Sequence, residues 1–185
     1  LVVRVDDKRR EFTLYGKQGY GNARGIWQTV YVEARGQDYL DAIHFRPDVD
    51  KSNAVVTVYL PEETDADKKI TLTIKTPGES IMAELNIPKG KYKADTTVNI
   101  PAARLWSLDD PYLYDVDVKL GDDALKTYFG MRKISVVNLP GTDFPYIALN
   151  NKPVYLQLAL DQSYHPDGYY TFPDDAFMRR EIELA

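Results

Sequence analysis

The sequence contains no cysteine, and histidine and tryptophan occur only twice each. Without thiols there are no disulfides, no thiolate zinc sites and no cysteine nucleophile. Two histidines, at 44 and 165, cannot build a histidine-rich metal box, so no metal or other cofactor is expected. Long apolar runs are missing too. None approaches the ~18 residues that a membrane-crossing helix needs, so no membrane partner is expected. Basic charge is in short supply: 23 Lys and Arg stand against 28 Asp and Glu, a net charge of −5. That balance argues against nucleic acid as a partner, because phosphate binding needs a basic face. The glycines of residues 16–25 are not followed by Gly-Lys-Ser/Thr, so they form a loop rather than a phosphate cradle. The lack of cysteine leaves the compartment open, with a periplasmic or extracellular bacterial setting placed ahead of the cytoplasm.

What the chain does have is apolar and aromatic material. Its 44% hydrophobic content suffices for a packed core and excludes wholesale disorder. Fourteen tyrosines favour half-buried pleated surfaces. A length of 185 residues allows one domain or a small pair. Leu1-Val2-Val3-Arg4-Val5 opens on strand-like alternation with no initiator Met or signal peptide, and the final helical stretch has no stop signal. Both ends therefore read as excised from a longer polypeptide.

Period-two alternation dominates the first three quarters. Strands are predicted at 25–33, 40–45, 54–60, 69–75, 81–87, 96–100, 112–120 and 125–137. Pro47-Asp48, Pro61-Glu62, Pro77-Gly78, Lys89-Gly90 and Gly121-Asp122-Asp123 punctuate them as turns. About seven strands between residues 38 and 138 predict an immunoglobulin-like β-sandwich, an architecture that needs no cysteine pair. Trp106 and Pro111-Tyr112-Leu113-Tyr114 are expected to pack its core. After Leu139-Pro140-Gly141, Asn150-Asn151-Lys152 reads as a hairpin turn between strands at 146–149 and 153–160. The second is nearly continuously apolar, as a strand buried on both faces should be. A loop with Pro166-Asp167-Gly168 precedes a helix that Pro173 enters, with Asp174 and Asp175 in its first turn. Phe177, Met178, Ile182 and Ala185 share one helical stripe. Strand, loop and helix make the opening step of a parallel α/β domain.

Chemistry is sparse. Asp48-Val49-Asp50-Lys51-Ser52-Asn53 starts like a calcium loop but has Asn53 at the glycine position and Tyr59 where a bidentate Glu is required. It reads as a polar turn. His44 lies inside a strand beside Ile43 and Phe45 and reads as a surface histidine. His165 falls in the loop after the apolar strand with Asp161, Gln162 and Asp167. In β/α barrels the C-terminal strand ends build the active-site mouth, which is where Asp161 and Gln162 would then stand. Glycoside hydrolysis needs two carboxyl groups flanking the scissile bond, and no such pair stands out.

Three segments carry a family resemblance. Gly25-Ile26-Trp27-Gln28-Thr29-Val30-Tyr31-Val32-Glu33 looks like the last strand of a jelly-roll, sugar-binding domain. Leu105-Trp106-Ser107-Leu108-Asp109-Asp110-Pro111-Tyr112-Leu113-Tyr114, with Tyr128-Phe129-Gly130-Met131-Arg132-Lys133-Ile134, looks like the end of an immunoglobulin-like domain. Leu149-Asn150-Asn151-Lys152-Pro153-Val154-Tyr155-Leu156 looks like the entry into a catalytic (β/α)8 barrel. In this order they resemble the middle of glycoside hydrolase family 2, the β-galactosidase, β-glucuronidase and β-mannosidase group.

The resemblance implies a jelly-roll tail at 1–37, the sandwich at 38–138 and the start of the barrel at 139–185. It implies retaining hydrolysis by two glutamates downstream, so no catalytic residue in this chain, and a β-linked oligosaccharide or glycoside as the parent's substrate. The parent would be an O-glycosyl hydrolase, with a homo-oligomer among the assemblies left open. Where many members carry Asn and His near the sugar, this chain has Leu158-Ala159-Leu160-Asp161-Gln162-Ser163-Tyr164-His165. The departure counts against β-galactosidase specificity and makes Asp161 and Gln162 substrate-contact candidates, with His165 a third. Arg132 is read as an interdomain or turn-fixing group. The rival reading is a free-standing carbohydrate-binding or interaction sandwich that stacks sugar on Tyr15, Tyr20 and Trp27.

Overall fold

A computed structural model describes residues 2–6, 8, 25, 26, 28–161, 165–168 and 171–185. Tyr15, Tyr20, Trp27 and most of the glycine loop lie outside the described residues. The chain divides into two compact units, one of residues 34–155 and one of residues 1–33 with 156–185.

The larger unit is antiparallel β. Strands β1 (Ala42–Asp48), β2 (Asn53–Tyr59) and β5 (Lys93–Asn99) form one sheet in the order β1-β2-β5. Strands β3 (Lys68–Ile74), β4 (Ile81–Ile87), β6 (Tyr114–Leu120) and β7 (Asp123–Phe129) form a second, ordered β4-β3-β6-β7. The expected sandwich of seven strands is thus present. Its core follows from side-chain alternation: along β6, Tyr114, Val116, Val118 and Leu120 are buried while Asp115 and Lys119 face out. Leu72 lies opposite Val118 and Ile74 opposite Val116, so β3 and β6 send one apolar face inward. Val56, Val58 and Val98 meet that face from the first sheet. Outside, Lys75 pairs with Asp117 and Lys69 with Glu84.

Pro47 belongs to β1 rather than to a turn, which is permitted because β1 is an edge strand whose missing donor breaks no ladder. At the other end Leu40 is buried, and its N–H goes to the Asp123 carboxylate rather than to a neighbouring strand. The single strand expected at 125–137 is two. After β7 the chain turns at Gly130, buries Met131 and hands the Met131 carbonyl to the Trp106 N–H. It then enters β8 (Ile134–Asn138) of a third sheet, ordered β10-β9-β8 with β9 (Pro145–Leu149) and β10 (Lys152–Pro153). The β9–β10 hairpin has the predicted Asn-Asn turn, with positive φ at both Asn150 and Asn151 as a type I′ turn requires.

The strand expected at 153–160 ends almost at once. Val154 donates to Ile147, but residues 154–160 form no ladder among the described residues, and Tyr155, Leu158 and Leu160 are exposed. A doubly buried strand exists only through flanking strands, and none flanks this one there. Residues 2–5 and the described part of 25–33 likewise form no strand among the described residues. The helix α1 (Asp175–Leu184) forms as expected. Asp174 caps it, its carboxylate accepting from Phe177 N at 2.7 Å.

Candidate functional site

The three sequence-predicted contacts fare differently. Asp161 is exposed at the end of the 154–160 segment. Gln162 lies outside the described residues. His165 is buried and already employed. Its Nδ1 accepts from the backbone N–H of Asp167 and of Gly168, each at 3.1 Å. Its ring stands edge-on to Phe177 at 4.7 Å and near Phe172, and these two phenylalanines stack on each other. An imidazole with Nδ1 so occupied keeps only Nε2 for any other partner. Gly168 completes the turn because a Cβ there would stand 2.0 Å from the Thr171 carbonyl oxygen. Residues 165–168 therefore form a turn that ties His165 to the first turn of α1. Among the described residues no group of acidic and histidine side chains is arranged to hold a metal.

The denser constructions lie in the larger unit. Tyr114, at the start of β6, is buried, and its hydroxyl accepts from Arg104 N at 2.7 Å while facing the Arg104 carbonyl. This is the tyrosine corner of immunoglobulin-like sandwiches in a longer loop. Burial pushes its phenol upward from the usual range. Arg104 grips Asp110 with two parallel bonds of 2.7 Å and lies over the Tyr112 ring. Those bonds hold the Asp110 carboxyl below its ordinary range.

A second cluster joins the third sheet to the sandwich. The Asn150 side chain accepts from Lys133 N and donates to the Trp106 carbonyl, while Asn150 N donates to Lys133 O. Lys133 Nζ and Asn151 Nδ2 both donate to the Asp50 carboxylate in the β1–β2 turn. Those donors lower the Asp50 pKa. The turn at 48–53 is thus a polar turn, as expected, but one that receives a distant hairpin. No local pattern could announce an Asp50–Asn151 bond across 101 residues of sequence.

A third feature is a hollow of about 500 Å³ between β1, β7 and the 106–113 loop. Trp106 and Arg132 line it, the guanidinium lying 5.0 Å over the indole ring.

The family model described as Glycosyl hydrolases family 2 matches residues 38–132, slightly more than half of the chain and all seven strands of the two packed sheets. The chain belongs to glycosyl hydrolases family 2. A β-galactosidase of Halalkalibacterium halodurans is 23% identical over 131 residues, covering 65% of this chain and 13% of that protein. Among solved structures, a family 2 β-galacturonidase from Eisenbergiella tayi bound to galacturonate superposes with a TM-score of 0.62 at 19% identity. It covers 80% of this chain and 26% of that one. A Ruminococcus gnavus β-glucuronidase, in complex with uronic isofagomine, gives a TM-score of 0.55 at 21% identity, covering 80% of this chain and 23% of that one. The family 2 chain described here thus spans 13% of the length of its curated relative and about a quarter of these solved structures.

Proposed function

We propose that this family 2 chain is the sandwich-bearing, non-catalytic portion of a retaining glycosidase acting on β-linked glycosides. The observation that carries the reading is that the family match coincides with the two packed sheets in a chain spanning 13% of its β-galactosidase relative. Residues 1–37 then belong to a sugar-binding jelly-roll, 38–138 to the spacer and 139–185 to the opening of the barrel. The spacer's work is mechanical: it holds the sugar-binding domain against the barrel. The cross-links at Asp50, Trp106 and Lys133 support that role, since a spacer that transmits position must not flex at its joints.

The two glutamates of retaining hydrolysis lie in the remainder of the enzyme. In this reading Asp161 and Gln162 reach the sugar, and His165 contributes chiefly by ordering the turn that follows them. The relatives divide between a galactosidase and two uronidases. The test is therefore hydrolysis of nitrophenyl β-galactoside, β-glucuronide and β-galacturonide by the longer enzyme, by its Asp161→Ala variant and by the 185-residue chain alone. The expected result is turnover of one glycoside by the longer enzyme, a loss of about tenfold or more in Asp161→Ala, and none by the short chain. Hydrolysis by the short chain, or no turnover of any glycoside by the longer protein, overturns the reading.

A further inference from the structure

The hollow beside Trp106 has a chemistry that its place in the sandwich does not use. Phe45, Pro47 and Leu113 give it apolar walls, and Tyr128, well exposed, adds an aromatic face. Its charged group is Arg132, whose side chain is exposed and lies along the Trp106 ring. A cation–π contact holds a guanidinium at a ring face without consuming its five N–H donors. Among the described residues no carboxylate or carbonyl accepts from them, although Arg104, on the same loop, is matched by Asp110 in a two-bond fork. Among the described residues the Trp106 indole N–H has no acceptor either, and it is not a buried unpaired atom as Ser135 Oγ is. An oriented guanidinium and a free indole N–H are donors only. They match a ligand rich in acceptors, above all a carboxylate, which the planar fork grips by two bonds. The volume lies within the range of small-molecule sites, and the apolar walls with the Tyr128 ring suit a ring that offers C–H faces.

We propose that this hollow binds a ring-shaped organic carboxylate of the hexuronic-acid class, with the carboxylate on Arg132 and a ring face on Tyr128. The choice of a saccharide acid among ring carboxylates rests on the glycosidase reading above. The site itself rests on the unpaired donors.

The test uses the 185-residue chain, with glucuronate as probe and glucose and acetate as controls at matched ionic strength. The readouts are the Trp106 indole N–H chemical shift and tryptophan fluorescence in a Trp27→Phe background. Glucuronate should give a saturable response in the millimolar range or below, while glucose and acetate give none. Arg132→Gln should weaken binding by about tenfold or more. Tyr128→Ala, at an exposed position outside the core, should weaken it too while leaving the melting temperature unchanged. Arg132→Lys should fall in between, keeping the charge and losing the fork. A response to glucose equal to that of glucuronate overturns the carboxylate assignment, and an equal response to acetate overturns the ring. No saturable response, or Arg132→Gln binding as the parent chain does, overturns the site. Since no hydrolysis is measured, each of these failures leaves the glycosidase reading standing.

Discussion

At the scale of single residues, hydrogen bonds to loop backbone decide most. The Tyr114 hydroxyl is a partner of a half-buried Arg104 N–H, so Tyr114→Phe strands that donor beside an otherwise intact aromatic stack. The expected cost is about 1–3 kcal/mol, read as a lower chemical-denaturation midpoint with an unchanged slope. Asn150→Gly isolates a side-chain effect, because glycine accepts the φ of 50° that Asn150 adopts. Losing its bonds to Lys133 N and the Trp106 carbonyl should again cost about 1–3 kcal/mol by the same measurement. Asp50 and Asp110 titrate below the ordinary carboxyl value of 3.8 in the folded chain because Lys133 and Arg104 bind their charged forms. A lowered folded pKa means stability that is complete above 3.8 and is lost as pH falls through the folded value. Asp50→Asn should therefore flatten part of the acid limb of a stability-versus-pH curve. A limb of unchanged steepness would show that Asp50 carries no linkage.

The elements show what a pattern of residues does and does not reveal. Strands whose hydrophobic alternation faces a core were legible: β4 falls at Ile81–Ile87 as predicted, and β2, β3 and β6 within two residues of the expected starts. The break between β7 and β8 was not, because residues 125–137 hold no Pro, Asn or Asp and only Gly130 as a turn signal. What ends β7 is the distant Trp106 N–H taking the Met131 carbonyl, a tertiary event. Residues 154–160 fail for the opposite reason. Their composition is that of a strand, but composition supplies no ladder partner. The candidate site was legible in part. Loop position singled out His165, but nothing in its neighbours foretold that two backbone N–H groups would claim Nδ1. Arg132 was singled out from its motif, and the unpaired donors beside Trp106 emerged only from the fold. The helix cap was readable and is testable on its own: Asp174→Ala should cost the helix about 1 kcal/mol, seen as reduced helical circular dichroism and faster amide exchange in residues 175–178.

For the whole molecule, exposed apolar surface is the dominant fact. Ile134, Val136 and Phe144 of the third sheet and its turn, and separately Leu158 and Leu160, each stand about two-thirds exposed or more. Exposed apolar surface of this kind favours association, and a net charge of −5 opposes it only at long range. The 185-residue chain should self-associate with rising concentration and salt, and Val136→Lys should reduce this. Static light scattering checks it, and a constant monomer mass at high concentration and high salt would refute it.

The pairing of β3 with β6 has a consequence for the order in which the protein is made. β3 ends at Ile74 and β6 begins at Tyr114. At ribosomal speeds of about 5–20 residues per second, roughly 2–8 s pass before the partner of β3 has even been synthesised. Once β4 has emerged it guards one edge of β3, and the other still waits open with Ile70, Leu72 and Ile74 uncovered. The inner strand β3 is thus a vulnerable stretch during biosynthesis, and one that a nascent-chain chaperone would have reason to shield.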